Sequence, residues 1–323
     1  MEDLCFPQLL NASCRKPKIN QSKAVLLYFM LFISVFTVFL NLLVIISVSH
    51  FRQLHTPTNL IILSLAVSDF LLGLLTPVKV YKQMTCWFFS DLVCSLYGYV
   101  SSIILGASIG NLILISVDRY VAICDPLHYP TRVTVRRVKM CVCMCWTCSI
   151  VHNGLMLKDN LAQPGRYKSC YGQCAIVVDD NLGMFDAVVS SIGPITVIII
   201  LYIRVFLTAV SQARAMRSHV AAVTLQHSGT VMTKKSELKA ARTLGIVVVV
   251  FLMCFCPYFF ITFLMQSTSA GGLSVTFGLF LLYTNPCLNP VIYAFFYPWF
   301  KKSVRLIFSL QILQPGSCDT NML

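Results

Sequence analysis

Seven stretches of about twenty residues each pass with scarcely a charge, and that pattern leaves a chain few ways to fold. They run Ala24–His50, Asn59–Lys79, Leu92–Val117, Met140–Leu157, Leu182–Ile203, Thr243–Gln266 and Leu273–Phe296. A run of about 20 apolar residues crosses the hydrocarbon of a bilayer as a helix, which satisfies its own backbone hydrogen bonds there. Only 11% of the 323 residues are charged, against roughly a quarter in a soluble domain. The expected fold is therefore an all-α membrane protein, a seven-transmembrane helix bundle over 24–296. Residues 1–23 form an N-terminal segment ahead of it. The remainder, 297–323, is a tail whose stretch YPWFKKSVRLIFSL reads as a short amphipathic eighth helix lying on the membrane face,. The opening MEDLCFPQLLN has no basic stretch followed by an apolar one, so no cleavable signal peptide is expected.

The basic residues orient the bundle. With the N-terminus outside, nine of the 25 Lys and Arg fall on the outer side and sixteen on the inner, as the positive-inside rule requires. A multi-pass plasma-membrane protein with an extracellular N-terminus follows. The net charge of +13 then reflects topology, and no nucleic-acid partner is needed to explain it. The sequons at Asn11 and Asn20 lie outside, where glycosylation is possible,. So do six of the fifteen cysteines, Cys5, Cys14, Cys86, Cys94, Cys170 and Cys174. An even number in an oxidising compartment points to disulfides, and six cysteines allow fifteen connectivities. The run Cys141, Cys143, Cys145 and Cys148 in the fourth span looks like a metal cluster but is not expected to bind a metal. Residues two apart on a helix sit about 200° apart around its axis, so packing is the expected role.

Polar residues inside the spans carry the functional reading. Asp69 sits mid-span, with Asn41, Ser108 and Asn289 placed to face it. Asp118, Arg119 and Tyr120 close the third span, and Glu237 opens the sixth on the same side, where it is placed to pair with Arg119. Each has a plain structural alternative as an interhelical polar contact. Asp186, within GMFDAVVSSIGP, is the costliest. A carboxylate at membrane depth is a functional candidate unless something pairs with it, and Lys79 or a backbone donor is the structural alternative.

SVDRYVAICDPLHY (116–129), Asn41, Asp69, Trp146, Pro194, FLMCFCP (251–257) and NPVIY (289–293) together resemble the rhodopsin-like G-protein-coupled receptors, in order and across all seven spans. NPCLNPVIYAFFYPWF (285–300) is similar to the seventh-helix signature of trace amine-associated receptors, with Pro286 where that family has Ser. Cys5, Cys14 and MTCWFF (84–89) look like the same family. The resemblance implies a Cys94–Cys174 bond between the third helix and the second outer loop. It implies two further bonds tethering the N-terminal segment, taken as Cys5 with Cys170 and Cys14 with Cys86, a set left open. It implies that Arg119 engages the G protein once freed from Asp118 and Glu237. Tyr202, Asn289, Pro290 and Tyr293 would complete that inner switch. Ile109, Pro194 and Phe251 would form the packing triad above it. Asp69 and Ser108 would hold an allosteric sodium ion, and no other cofactor is implied. Phe255 stands where the family usually has a Trp that senses ligand, and Phe has no N–H to donate.

A larger departure concerns the ligand. Amine receptors of this kind bind the cation with an aspartate eighteen residues before the Arg of the DRY motif, and here that position is Ser101. Asp186, eight residues before Pro194 and so about two helical turns above it, looks like the relocated counter-ion. Some fish members of the family make this exchange, so the chain resembles that olfactory branch. Ser101, Ser102 and Leu105 on the third helix, Ser190 on the fifth, Phe255, Tyr258, Phe259 and Thr262 on the sixth and Tyr283 on the seventh are the candidate pocket. A protonated amine would gain a charge-assisted hydrogen bond from Asp186 and cation–π attraction from the aromatic rings. One carboxylate at this depth suits a monoamine, while Asp179 and Asp180 near the outer loop keep a diamine in play. Family members signal through a stimulatory or olfactory G protein and cyclic AMP. The basic flanks Arg214, Arg217, Lys234 and Lys235 fit that partner. The rival reading is a receptor for a non-amine small ligand, with Asp186 structural. No internal repeat marks a transporter, no H-E-x-x-H marks an intramembrane protease, and His152 reads as a packed or solvent-leaning histidine, so no enzyme is expected. Cys318 in the tail is a weak lipidation signal.

Overall fold

The computed structural model describes residues 4–9, 12–222, 245–261 and 272–322. Asn11, Lys234, Lys235, Glu237 and Thr262 lie outside the described residues, as do the side chains of Asp180, Arg214 and Arg217.

Seven helices build the bundle, and their ends follow from local sequence. Helix α1 spans Gln21–His50, α2 Pro57–Met84, α3 Asp91–Cys124 and α4 Val135–Met156. Thr56, Ser90 and Thr134 cap α2, α3 and α4, each side-chain oxygen accepting a backbone N–H three residues on, as N-cap residues do. Pro57 occupies the first turn of α2, where its missing N–H costs nothing. Helix α5 joins Asp180–Ala187, a π-helical turn at Val188–Ile192 and Gly193–Ala222. The turn has a cause: Pro194 has no N–H, and its ring would press on the carbonyl of Ser190 four residues back. The widened turn relieves this, with the Gly193 N–H reaching back to the carbonyl of Val188,. Helix α6 is described over Gly245–Ile261 and α7 over Gly272–Phe296. After Tyr297 the chain turns into α8, Pro298–Phe308.

Hydropathy located the lipid better than it located helix ends. Helices α2, α3 and α5 run on to Met84, Cys124 and Ala222, past the apolar spans, because a helix stops at a cap or breaker and not where its apolarity stops. Among the described residues, 5 helices are long and apolar enough to cross a membrane, and Gly245–Ile261 is a shorter apolar one. Helix α4 is less apolar because Lys139 enters it at one end and His152 and Asn153 interrupt it at the other.

Helix α3 runs through the bundle against α2, α4 and α5, and α1 packs on α2 and α7. Gly106 and Gly110 let α3 and α4 approach closely, since a Cβ on either would collide with Ser149 Oγ or Cys145 Sγ,. Cys145 is thus a packing residue, whereas Cys141, Cys143 and Cys148 are exposed on the outer surface of the bundle. Among the described residues no cluster of metal-ligating side chains occurs. Exposed Phe32, Val35, Phe206, Leu207 and Met253 form the kind of continuous apolar surface that soluble monomers avoid and that lipid covers.

Three disulfides mark one end of the bundle, termed the outer end: Cys94–Cys174, Cys5–Cys86 and Cys14–Cys170. The pairing of Cys5 with Cys170 and Cys14 with Cys86 is corrected. The N-terminal segment folds into a narrow antiparallel turn, with the Cys5 N–H donating to the Cys14 carbonyl at 2.8 Å and Leu4 bridging Arg15. The Cys14 N–H then donates to the Tyr171 carbonyl at 2.9 Å, which sets Cys14 beside Cys170 and leaves Cys5 for Cys86. At the inner end the tail folds back on the turn after α1. His50 Nε2 lies 2.9 Å from Ser317 Oγ, and Gln53 Oε1 accepts the Met322 N–H at 2.9 Å.

Candidate functional site

Polar side chains form three tiers along the bundle. In the middle tier Asp69 is fully buried. It accepts Asn289 Nδ2 at 2.7 Å and Ser108 Oγ at 3.4 Å, joining α2, α3 and α7. Asn41 does not face Asp69 as expected. It donates to the carbonyl of Pro286 at 3.0 Å. That carbonyl is free because Pro290, four residues on, has no N–H to offer it, and a buried carbonyl needs a donor. Asn41 Oδ1, Asn289 Oδ1 and both polar atoms of Asn111 are buried with no hydrogen-bond partner. Oxygen donors from Asp69, Ser108 and Asn289 suit a hard cation, so the residues fit a sodium ion. On α4, Trp146 Nε1 donates to Ser64 Oγ on α2 at 3.1 Å.

The inner tier centres on Arg119, 8% exposed. Its Nε donates to Asp118 Oδ2 at 3.0 Å and a terminal nitrogen to Thr58 Oγ1 at 2.9 Å. Thr58 Oγ1 and Tyr129 Oη also donate to the Asp118 carboxylate, at 3.0 and 2.9 Å. Thr58 and Tyr129 are partners the sequence reading missed. An i,i+1 pair is not side by side on a helix, so only tertiary neighbours turn Asp118 and Arg119 toward each other. Just past α3, Asp125 accepts His128 Nδ1 at 2.7 Å and pairs with Arg132 at 3.0 Å. The bond from His128 first, and the nearby charges with it, hold the Asp125 carboxyl below the ordinary carboxylate value. Tyr293 is fully buried with its hydroxyl unpartnered, its ring 6.0 Å from that of Tyr297. Tyr202 and Tyr120 are half-buried.

Between these tiers lies the main apolar core, which contains Ile109, Phe251 and Phe255. Phe251 and Phe255 have ring centroids 4.1 Å apart, and Phe259 follows at 6.0 Å. Pro194 on α5 is half-buried. Leu105, Tyr258, Phe259 and Tyr283 pack on the same core from the outer side.

The outer tier holds Asp186. Its Oδ1 accepts His152 Nε2 at 2.7 Å and Ser190 Oγ at 2.7 Å, and Ser190 Oγ lies 3.0 Å from His152 Nε2. Two polar side chains thus converge on one carboxylate oxygen. Ser190 was expected on this face at i+4, but His152 was not, and the expectation that it merely packs or leans to solvent is corrected. Lys79 forms no ion pair with Asp186. The signal was available: two polar residues, His152 and Asn153, break an otherwise apolar helix, and such residues face partners. Asp186 is turned toward α4 and stays 43% exposed, with His152 at 21%. Ser101 spends its hydroxyl on the Gly98 carbonyl of its own helix at 3.0 Å, and Ser102 is half-buried. The structure therefore brings Asp186, Ser190 and His152 together, and Phe251, Phe255, Phe259 and Tyr258 together. No hydrogen bond among the described residues joins the two groups.

Known proteins share this arrangement of motifs. The profile of the family described as "7 transmembrane receptor (rhodopsin family)" matches residues 40–293. The chain is 36% identical to trace amine-associated receptor 8a of Rattus norvegicus, over 99% of this chain and 96% of that one. It is 35% identical to trace amine-associated receptor 13c of Danio rerio, over 98% and 95%. The chain belongs to the trace amine-associated receptors. It is a membrane receptor of the rhodopsin family, with the seven-helix fold expected of it and no enzymatic class. The rodent and fish relatives match it about equally, so overall likeness does not single out a fish branch.

Proposed function

We propose that this receptor detects small amines, holds the ammonium group at Asp186, and signals through a stimulatory or olfactory G protein and cyclic AMP in an olfactory setting. The observation that carries the reading is the placement of one carboxylate. Asp186 stands on α5 about two turns above Pro194, while the position on α3 eighteen residues before Arg119 is Ser101,. Both hydrogen bonds to Asp186 fall on Oδ1, which keeps Oδ2 for a ligand N–H. Relatives named for trace amines agree with this choice. On this reading the N-terminus and its sequons are extracellular, and Arg119 faces the cytoplasm. Amine binding draws α5 inward at the π-helical turn, repacks Pro194, Ile109 and Phe251, and releases Arg119 from Asp118 and Thr58. The shift requires tighter amine binding in the active arrangement. A sodium ion held by Asp69 and Ser108 with Asn289 would favour the inactive one.

One observation favours a second reading, a receptor for a non-amine ligand with Asp186 structural: His152 and Ser190 already partner the carboxylate. Cyclic AMP measured in cells expressing the wild type and Asp186→Asn, dosed with primary, secondary and tertiary amines and matched alcohols, separates the two. An amine response lost in a variant that still reaches the surface supports the amine site. An equal response in both assigns Asp186 to structure.

A further inference from the structure

The outer end carries a second feature, unrelated to Asp186. A cavity of about 470 Å³ opens between the N-terminal segment, the outer end of α2 and the second outer loop. Its volume falls within the ordinary range for small-molecule sites, roughly 300–1,000 Å³. Its rim is covalently framed, since Cys14, Cys170 and Cys174 line it and each belongs to a disulfide. A backbone bond from the Trp87 N–H to the Gly172 carbonyl at 2.8 Å fixes the floor.

The charge of this cavity is one-sided. Among the described residues, Arg15 and Lys82 line it and no acidic residue does. Among the described residues neither forms an ion pair, although the neighbouring Lys168 is satisfied by Asp91 at 2.6 Å. Lys79, one helical turn below Lys82, is also half-buried and also without an ion-pair partner among them. Half-buried cations stacked on one helix face repel each other and lose hydration. An anion bound above them would offset both costs. Neutral donors are present as well: Gln173 takes the Ser169 hydroxyl on Oε1 at 2.9 Å, which leaves its amide N–H groups for another acceptor. A guanidinium fork beside an ammonium and an amide is a donor set matched to the two oxygens of a carboxylate.

We propose that this vestibule is a carboxylate-binding site, with Arg15 and Lys82 as its charged ligands and Gln173 as a neutral one. The carboxylate is either carried on the agonist, making it zwitterionic, or is a separate small anion. The proposal stands apart from the amine reading, because it needs no ammonium at Asp186.

The test uses the full-length receptor in nanodiscs and follows thermal unfolding against sodium acetate, with ionic strength held constant by sodium chloride. Binding to the folded state raises the melting temperature saturably with acetate. The Arg15→Gln/Lys82→Gln double variant should lose that rise, Lys168→Gln should keep it, and the charge-conserving Arg15→Lys/Lys82→Arg variant should retain it while controlling for folding. Equal behaviour in acetate and chloride, or an acetate response surviving in the double variant, overturns the proposal. A second arm compares pentylamine with 5-aminopentanoate in cells. A gain of about tenfold in potency for the carboxylated compound, lost in Lys82→Gln, assigns the anion to the agonist. An acetate response without that gain assigns it to a separate anion. Should every amine be silent while acetate still stabilises, the amine reading fails and the vestibule site stands.

Discussion

His152→Leu should make the receptor more sensitive to amines. In the wild type, His152 Nε2 and Ser190 Oγ both lie 2.7 Å from Asp186 Oδ1, so the carboxylate that would hold the ligand already spends charge on two donors. A hydrogen bond to a charged group is worth ~1.5–3 kcal/mol where water is excluded. With 43% of the Asp186 side chain exposed, the contribution is discounted to about 1 kcal/mol. Removing the imidazole leaves Asp186 with Ser190 alone, and the unspent interaction becomes available to an ammonium. Since ~1.4 kcal/mol is tenfold in an equilibrium constant, the half-maximal concentration of an activating amine should fall about fivefold. Leucine fills comparable space on α4 and cannot donate. The assay is a cyclic AMP dose–response normalised to surface expression, run on wild type, His152→Leu, Asp186→Asn and the double variant. Asp186→Asn should raise the half-maximal concentration at least tenfold, from loss of a charge-assisted bond of about 1.5–3 kcal/mol, and should do so in either background. The reasoning is refuted if His152→Leu weakens the response as much as Asp186→Asn does. In that case the imidazole orients the carboxylate for the ligand and does not compete for it.

Two further outcomes are expected. Peptide mapping of the unreduced protein should recover Cys5 linked to Cys86 and Cys14 linked to Cys170, and a Cys5–Cys170 peptide would contradict the N-terminal turn described above. Asp118→Asn removes the buried acceptor shared by Arg119, Thr58 and Tyr129; since pairs of this kind contribute about 1–2 kcal/mol to one arrangement over another, basal G-protein activation should rise about five- to thirtyfold over mock-transfected background, and an unchanged basal level would show that the cluster persists on activation.

Bundle class and helix count were legible because lipid imposes a simple rule: a spanning segment must be long, apolar and helical. The Asp186 cluster was legible in part, because a carboxylate in such a segment stands out against a background with almost no charge. What the sequence left hidden depends on the direction a side chain takes. Asp118 and Arg119 are adjacent, and among the described residues Thr58 from α2 and Tyr129 from beyond α3 fix where both point. Asn41 reads as a partner for Asp69 until one notices that Pro290 cannot serve the carbonyl of Pro286, which then claims the asparagine amide. The disulfide pairing turned on one backbone contact, Cys14 to Tyr171, which no spacing of cysteines encodes.

His152 teaches the same lesson from the other side. Its helix is the least apolar of the fully described helices of the bundle, and a scan for spans reads that as weakness. In the structure the polar interruption is an address: His152 meets Asp186, and Asn153 Nδ2 returns to the Ser149 carbonyl at 2.8 Å. On the proposed amine reading, a carboxylate placed on α5 in place of α3 lies within reach of α4. Partnering by α4 then makes an intramembrane charge tolerable and, on the same reading, would lower its affinity for a ligand. The relocation and the histidine are thus read together. If the pair arose as one adaptation, replacing His152 should lower the stability of the ligand-free receptor while raising amine potency, and a change in only one of the two would separate the histidine's structural role from its effect on binding.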